Sequence, residues 1–264
     1  MRNAGLAAHA ENTVSGSASS AGSAFDLNQA QRSLSIIVPA YCEADNIVDT
    51  LANITGALDG LAIDHEILVI DDGSTDGTGD RVREHAARFP AVRLLTNDRN
   101  RGFGWTYRRG VAAATCDCIV MVHGDNAWSA STLRDLFCRV GEADVIVGYT
   151  RDMWKSRAWT RTVISKAFTL AINGITRRRL HYYNGLQIHP AAVLKQLDLR
   201  STGYGFQAEV LTQSLRMTRS FVEVPMTLTE RQAGASKAFR ARNVADVART
   251  LARLCRMEWG LTTR

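Results

Sequence analysis

The sequence predicts a single α/β domain in which helices flank a mostly parallel, Rossmann-like central sheet. Short β-branched apolar runs alternate with segments that carry apolar residues at three- and four-residue spacing, as strands alternating with helices do. The chain has 264 residues, of which 45% are hydrophobic, and these can bury one substantial core. Acidic and glycine-rich segments directly follow several apolar runs. Ligands bind at the carboxyl ends of parallel strands, so we expect the functional site there.

The first half of the chain contains four predicted strands with helices between them. Residues 34–38 (LSIIV) form a short buried run that ends at Pro39, and a helix over 43–58 follows because its apolar residues share one face. The later elements of this half are a strand over 66–70, a helix through 81–89, a strand over 92–96, a helix over 105–114 and a strand over 118–122.

The second half has fewer distinct signals. They are a strand over 145–148, an apolar helix that contains Val210, Leu211 and Leu215, a strand over 221–227 and an amphipathic helix over 243–259. Residues 1–32 are rich in Ala, Ser and Gly with little apolar periodicity, which predicts a flexible tail. The predicted organisation is a tail over 1–32, the α/β domain over 33–240 and a C-terminal amphipathic helix over 241–264.

Composition limits the partners and the location. The net charge of +6 suits an anionic partner such as a nucleotide, a phospholipid surface or nucleic acid. The five cysteines lack the paired C-x-x-C spacing of a zinc site, and we expect reduced thiols. The sequence contains no apolar run of the roughly 18 to 20 residues that span a bilayer. We therefore expect a cytoplasmic protein, soluble or held at the inner face of the membrane.

Two adjacent carboxylates, Asp71 and Asp72, end the second predicted strand and begin the segment DDGSTDGT over 71–78. At that position one carboxylate can accept from a base N–H and the other from ribose hydroxyls, although the spacing does not assign these roles. For Asp76 and Thr78, an alternative is that they cap the next helix and shape the turn.

A third carboxylate, Asp125, follows the fourth predicted strand in the segment His123-Gly124-Asp125. A strand-end aspartate facing a diphosphate can hold Mg²⁺ or Mn²⁺ together with phosphate oxygens and water. Such a metal offsets the charge that develops on a leaving diphosphate. The alternative is an ordinary turn residue.

Taken together in this order, the motifs resemble the inverting nucleotide-sugar transferases of glycosyltransferase family 2, which have the GT-A fold. The branch that they resemble most is that of the polyprenyl-phosphate (dolichyl-phosphate) mannose synthases. The resemblance covers roughly residues 34–238. It depends on IVPAYCE at 37–43, Asn46-Ile47, VIDDGSTDGT at 69–78, NRGFG at 100–104, His123-Gly124-Asp125, and Arg231 with Gly234, Ser236 and Lys237.

This resemblance implies a UDP- or GDP-sugar as donor and a set of residues that bind it. The set consists of Pro39, Tyr41, Glu43, Asp71, Asp72 and Gly102, with Arg231, Ser236 and Lys237 in a loop that closes over the diphosphate. Asp125 is the implied metal ligand and catalytic residue. The family's motif is commonly Asp-x-Asp followed by Gln, whereas this chain has His123 and Ala127 at the other two positions. This departure leaves the identity of the metal, Mg²⁺ or Mn²⁺, open.

The acceptor is expected in the second half of the chain. Arginine and tryptophan are interleaved between 151 and 161, a pattern that suits a lipid headgroup region, nucleic acid or a solvated face. The family resemblance implies that Arg151, Arg161 and Ser165 bind an acceptor phosphate. Glu209 lies where relatives place an acidic residue near the acceptor. It is a candidate general base for a hydroxyl acceptor, or simply a charge at a helix start.

The sequence therefore predicts an inverting glycosyltransferase that passes a sugar to a polyprenyl phosphate. The lack of a bilayer-spanning run favours one alternative, transfer to a soluble hydroxyl of a natural product, saccharide or protein. A second alternative is a non-catalytic nucleotide-sugar or nucleic-acid binder, because the metal motif is altered. We expect no nucleic acid as partner. The expected partners are a nucleotide sugar, a lipid-phosphate or small-molecule acceptor, and a membrane surface.

Overall fold

The computed structural model describes residues 33–151, 159–201, 203, 205–227 and 241–260. One sheet in these ranges has seven strands in the order β3-β2-β1-β4-β6-β5-β7. The strands are β1 (Leu34–Ala40), β2 (His65–Asp71), β3 (Val92–Thr96), β4 (Cys118–Met121), β5 (Val145–Thr150), β6 (Gln187–Pro190) and β7 (Phe221–Met226).

All but one of these strands run in the same direction. β6 is antiparallel to both of its neighbours, β4 and β5. The carboxyl ends of β1, β2, β4 and β5 therefore share one edge of the sheet with the start of β6. We call this edge the catalytic edge, because the predicted site residues follow strands that end there.

Helices cover both faces of the sheet. They are α1 (Ile47–Leu58), α2 (Thr78–Ala86), α3 (Phe103–Ala113), α4 (Ala130–Phe137), α5 (Trp159–Thr176), α6 (Ala191–Leu194), α7 (Phe206–Met217) and α8 (Ala241–Trp259). On one face α1 and α4 bury apolar side chains against β1, β2 and β4. On the other face α3 and the start of α7 pack against the same strands, while α5, α7 and α8 enclose a third cluster against β5.

Several predicted boundaries were wrong. β1 continues through Pro39 to Ala40 and keeps its pairing with β2 as far as Asp71. α1 begins at Ile47 instead of residue 43. Residues 44–46 form a separate turn in which the carbonyl of Glu43 accepts from the N–H groups of Asn46 and Ile47. The helix predicted through 81–89 begins three residues earlier and ends at Ala86.

The sequence prediction also missed α4, α5, α6 and β6. The predicted alternation of strands and helices is otherwise confirmed in the first half of the chain. For the C-terminal helix, the structure supports packing on the domain, since Leu254 of α8 is buried in the third cluster. None of the helices within the described ranges combines the length and apolar character required to cross a bilayer.

Candidate active site

Hydrogen bonds join the loop after β1 to the loop after β2. Three backbone N–H groups of the first loop donate to side chains of the second: Cys42 to Ser74 at 3.0 Å, Glu43 to Thr78 at 2.9 Å, and Ala44 to Asp76 at 3.0 Å. Partial desolvation acts to raise the pKa of Asp76, but hydrogen bonds from Thr78 and from the N–H of Ala44 outweigh it and lower that pKa. Asp76 and Thr78 thus hold two loops together, a role beyond helix capping.

Asp72 organises a third loop, the one that leads into α3. Its side chain is buried. Oδ1 accepts from the N–H of Arg101 at 2.8 Å and from Nδ2 of Asn97 at 2.6 Å, and Oδ2 accepts from the N–H of Gly102 at 2.8 Å. Asn97 in turn accepts from the guanidinium of Arg109. Both carboxylate oxygens of Asp72 are therefore engaged by the protein.

Two glycines permit this close approach of loops. Gly73 has φ +74°, and a Cβ added there would lie 2.6 Å from the backbone carbonyl carbon of Arg99. Gly102 has φ +85° and directs its N–H at Asp72. Since larger residues rarely adopt these angles, glycine is required at both turns.

Asp71 lies beside Asp72 but has fewer partners. Its Oδ1 accepts from the N–H of Ser74 at 2.9 Å, whereas Oδ2 has no hydrogen-bond donor within the described ranges. A Cβ at Gly79 would lie 3.0 Å from Oδ2, so that glycine leaves room around the carboxylate. The geometry leaves Asp71 better placed than Asp72 to accept a hydrogen bond from a ligand. Tyr41 lies close by in the first loop with half of its side chain exposed.

Asp125 lies in a turn that α1 fixes at the end of β4. The hydroxyl of Thr50 donates to the carbonyl of Gly124 at 3.1 Å and accepts from the N–H of Asn126 at 3.0 Å. The N–H of Gly124 also donates to the carbonyl of Pro39 at 3.3 Å. These bonds bring the turn next to the end of β1. Asp125 and the loops around Asp71 thus share the catalytic edge.

His123 is part of an aromatic stack below this turn. Its ring lies 5.3 Å from that of Phe103 at an interplanar angle of 17°, and Phe103 meets the edge of Phe206 at 5.6 Å. The stack connects the start of α3 with the start of α7. No group of three or more His, Cys, Asp or Glu side chains within the described ranges is arranged to hold a metal by itself.

Only some of the predicted acceptor residues lie within the ranges that the structure describes. Arg151 is exposed at the end of β5, and Ser165 is half-buried on α5. The side chain of Arg161 and the residues Arg231, Ser236 and Lys237 lie outside the described residues, so those predictions are not placed.

Glu209 does not join the other site residues by any hydrogen bond. It is fully buried in α7, where Oε2 accepts from the N–H of Ser201 at 2.8 Å. Its Oε1 forms an ion pair with Arg253 of α8 at 2.9 Å. This arrangement favours a structural role over that of a general base.

The sequence was also compared with models of protein families. The model described as "Glycosyl transferase family 2" matches residues 35–196. The chain belongs to glycosyl transferase family 2. The predicted family and the enzyme class, a glycosyltransferase, are thereby confirmed.

Named relatives of this transferase span most of its length. It is 31% identical to the undecaprenyl-phosphate mannosyltransferase of Micrococcus luteus, over 76% of this chain and 85% of the relative. It is 30% identical to the polyprenol monophosphomannose synthase of Mycolicibacterium smegmatis, over 89% of each chain. Identity to the dolichol-phosphate mannosyltransferase of Pyrococcus furiosus is 26%, over 86% of this chain and 64% of that protein.

Solved structures agree on the fold. Glucosyl-3-phosphoglycerate synthase of Mycobacterium tuberculosis, in complex with Mn²⁺, UDP-glucose and phosphoglyceric acid, superposes on the transferase with a TM-score of 0.68. The identity is 20%, and the match covers 86% of this chain and 81% of that one. At this identity the likeness concerns the fold, and the expected GT-A fold is confirmed.

Sequence reasoning missed the residues that position the transferase's site. Thr50, Asn97 and Phe206 belong to none of the quoted motifs, and each acts on a partner more than 20 positions away in the chain. Only the apolar or polar character of each position was available as a signal. That character does not reveal a distant partner.

Proposed function

We propose that the protein is an inverting transferase that moves a sugar from a nucleotide sugar to a polyprenyl phosphate. The observation that carries this proposal is the arrangement of three aspartates at the catalytic edge. Asp71 and Asp72 lie at the end of β2 and Asp125 follows β4. The acceptor is inferred from two relatives at 30% and 31% identity whose names specify a polyprenol or undecaprenyl phosphate.

The residues at this edge fit a divalent cation that is bound together with a diphosphate. Asp125 supplies one carboxylate, and Mg²⁺ and Mn²⁺ are commonly held by one or two carboxylates plus phosphate oxygens and water. The cation would stabilise negative charge on the leaving nucleoside diphosphate. Asp71 would accept from the base or the ribose, and the loop held by Asp72 would bring the backbone around Gly102 close to the same ligand.

The hydrogen bonds of Glu209 favour a phosphate over a hydroxyl as the acceptor. An acceptor phosphate oxygen is already ionised when it attacks the anomeric carbon, and the bond to the nucleoside diphosphate breaks as the new bond forms. No general base is needed for this step, whereas a hydroxyl acceptor needs one. Glu209 already accepts from Arg253 and from the N–H of Ser201, so the carboxylate suggested for that role is otherwise engaged.

The proposal includes contact of α5 with a membrane surface. On α5, Leu170 is 70% exposed, Ile164 55% and Val163 46%. Lys166 is exposed on the same helix, and the chain carries a net charge of +6. Exposed apolar residues combined with cations favour the interface of an anionic bilayer, where a polyprenyl phosphate would be found.

The donor is tested by thermal shift of the full chain with UDP- and GDP-sugars and Mg²⁺ or Mn²⁺. A ligand that binds the native state raises its melting temperature. We expect a metal-dependent shift with one nucleotide in the wild type and its loss in Asp125→Ala. Asp125→Ala should also reduce sugar transfer to a polyprenyl phosphate by about 100- to 1,000-fold, the range known for removal of one key charge-stabilising group.

Asp135→Ala serves as the control for that variant, since Asp135 is an exposed aspartate of α4. It should retain both the shift and the activity. Full transfer activity in Asp125→Ala would contradict the proposal, as would transfer to soluble hydroxyl acceptors in preference to polyprenyl phosphate.

The membrane contact is tested by co-sedimentation with vesicles of phosphatidylglycerol and phosphatidylcholine. Leu170→Glu places a charge where the bilayer is expected, and we expect the bound fraction to fall about tenfold at 0.1 M salt. Val48→Glu, at an exposed apolar position of α1, is the matched control and should bind as the wild type does. Equal binding of the two variants would show that α5 does not contact the bilayer.

A further inference from the structure

Two buried polar atoms at the catalytic edge have no hydrogen-bond partner within the part of the chain that the structure describes. They are Oδ1 of Asn184 and Oγ1 of Thr150. Buried polar atoms of native proteins are nearly always hydrogen-bonded. Two exceptions at one edge of a sheet therefore indicate that a ligand with hydrogen-bonding groups belongs there.

The direction of β6 explains why Asn184 lies at this edge. Because β6 is antiparallel to β4 and β5, the turn that leads into it lies where those two strands end. The N–H of Gly148 donates to the carbonyl of Leu186 at 2.7 Å. A Cβ at Gly185 would lie 1.9 Å from the carbonyl oxygen of Gly148, so this turn packs directly against the end of β5. Thr150 is the last residue of β5.

Another amide contacts the same turn from α7. Nε2 of Gln207 donates to the carbonyl of Gly185 at 3.2 Å, and its Oε1 accepts no hydrogen bond from the described residues. Gln207 follows Phe206, which packs against Phe103 of the stack that contains His123. The aromatic stack thus connects the start of α7, where Gln207 lies, with the residues just before Asp125.

We propose that Asn184 and Gln207, together with Thr150 at the end of β5, recognise hydroxyl groups of the sugar being transferred. This inference rests on the proposed function, which puts the diphosphate of a nucleotide sugar at Asp125. Amide and hydroxyl groups both donate and accept hydrogen bonds, as the hydroxyls of a hexose do. A site built to hydrogen-bond a substrate hydroxyl discriminates strongly against a sugar that lacks it, so these residues determine which sugar is accepted.

The test compares a nucleoside diphosphate with its hexose conjugate by isothermal titration calorimetry of the full chain with Mn²⁺. GDP with GDP-mannose and UDP with UDP-glucose are titrated, and the pair that the wild type binds is used. We expect Asn184→Ala and Gln207→Ala each to weaken binding of the sugar conjugate about tenfold, as the loss of a hydrogen bond predicts. Affinity for the nucleoside diphosphate alone should change less than about twofold, which also shows that each variant is folded.

Gln213→Ala is the matched control, because Gln213 lies on α7 too and its Nε2 donates to the carbonyl of Asp198. It should bind both ligands as the wild type does. Wild-type affinity of both amide variants for the sugar conjugate would overturn the inference and leave the proposed function intact. Equal losses for both ligands would also overturn it. If the wild type binds neither pair, the proposed donor is wrong and the inference falls with it.

Discussion

Hydrogen bonds give different roles to the two adjacent carboxylates that follow β2. Asp72 binds Asn97 and two backbone N–H groups of the loop before α3, whereas Asp71 keeps Oδ2 without a donor in the described part of the chain. We therefore expect Asp71 to contact the nucleotide and Asp72 to hold the loop that surrounds it.

Replacing the two aspartates separately tests this division. Asp72→Ala leaves three donors without their acceptor, and we expect the free energy of unfolding to fall by about 2 kcal/mol and the melting temperature by about 4–8 °C. Asp71→Ala should lower the melting temperature by less than half as much, yet abolish the shift caused by the nucleotide. Calorimetry of both variants, with and without nucleotide, measures both effects. Equal melting temperatures would refute the proposed division.

Individual acidic residues that directly follow strands could be identified from the sequence, because the ends of strands can be recognised from apolar runs. Asp71, Asp72 and Asp125 were found in this way. The sequence could not show that Glu209 pairs with Arg253, since 44 positions separate them and each alone looks like an exposed helical charge. Contacts between distant segments arise from packing, which local patterns do not encode.

Among the elements, β6 is the strand that the sequence did not reveal. Its residues QIHP mix polar and apolar side chains, yet all four are buried. Nε2 of Gln187 donates to the carbonyl of Tyr183 at 2.6 Å, so its Oε1 accepts from Nε2–H of His189, and Nδ1 of His189 accepts from the hydroxyl of Ser214. Mutual hydrogen bonding thus allows these polar side chains to be buried, and it hides the alternation on which prediction depends.

This network makes stability depend on pH. Complete burial lowers the pKa of His189 to about 3 from an ordinary value of 6.5. The unfolded chain therefore binds a proton that the folded chain does not, so stability is fully present above pH 6.5 and falls between pH 6.5 and about 3. The expected slope is about 1.4 kcal/mol per pH unit for this residue.

Urea denaturation at pH 7.0, 5.5 and 4.5 measures how steeply the free energy of unfolding changes with pH. In His189→Gln the contribution of this residue to the slope should disappear, although the variant is less stable at pH 7. His65→Gln is the control, since His65 is only half-buried on β2, and it should keep the wild-type dependence. A wild-type slope in His189→Gln would contradict the assignment.

For the molecule as a whole, β4 and β6 join two halves of one sheet. The loops that contain Asp71, Asp72 and Asp125 all belong to the first half, which follows the predicted alternation of strands and helices. In the second half, α5, α7 and α8 bury a cluster against β5 that includes Ile172 and Leu254. The sequence prediction treated the C-terminal helix as a separate unit, but Leu254 of this helix is buried in the core and Leu251 and Met257 pack against it.

Removing the C-terminal helix tests its contribution. A chain that ends at Arg240 loses Leu254 and also Arg253, which leaves the buried carboxylate of Glu209 without its cation. An unpaired buried charge costs about 3–5 kcal/mol, and the lost apolar burial adds to it. We expect the shortened chain to aggregate or to melt at least about 10 °C lower. A chain that ends at Gly260 keeps the helix and should melt as the full chain does.

The short pairing between β4 and β6 also bears on how the molecule can be re-engineered. Among the described residues, three pairs connect the two halves within the sheet, from Cys118 with Pro190 to Val120 with Ile188. A graft that replaces the chain from β5 onward with the matching part of another transferase would keep the loops that carry Asp71, Asp72 and Asp125. Phe206 and Val210 of α7 would have to be retained, because they pack against Ile37 and Tyr107 of the first half. The short β4–β6 pairing thus marks a place in the sheet where the second half can be exchanged while the strands that end at Asp71 and before Asp125 are kept.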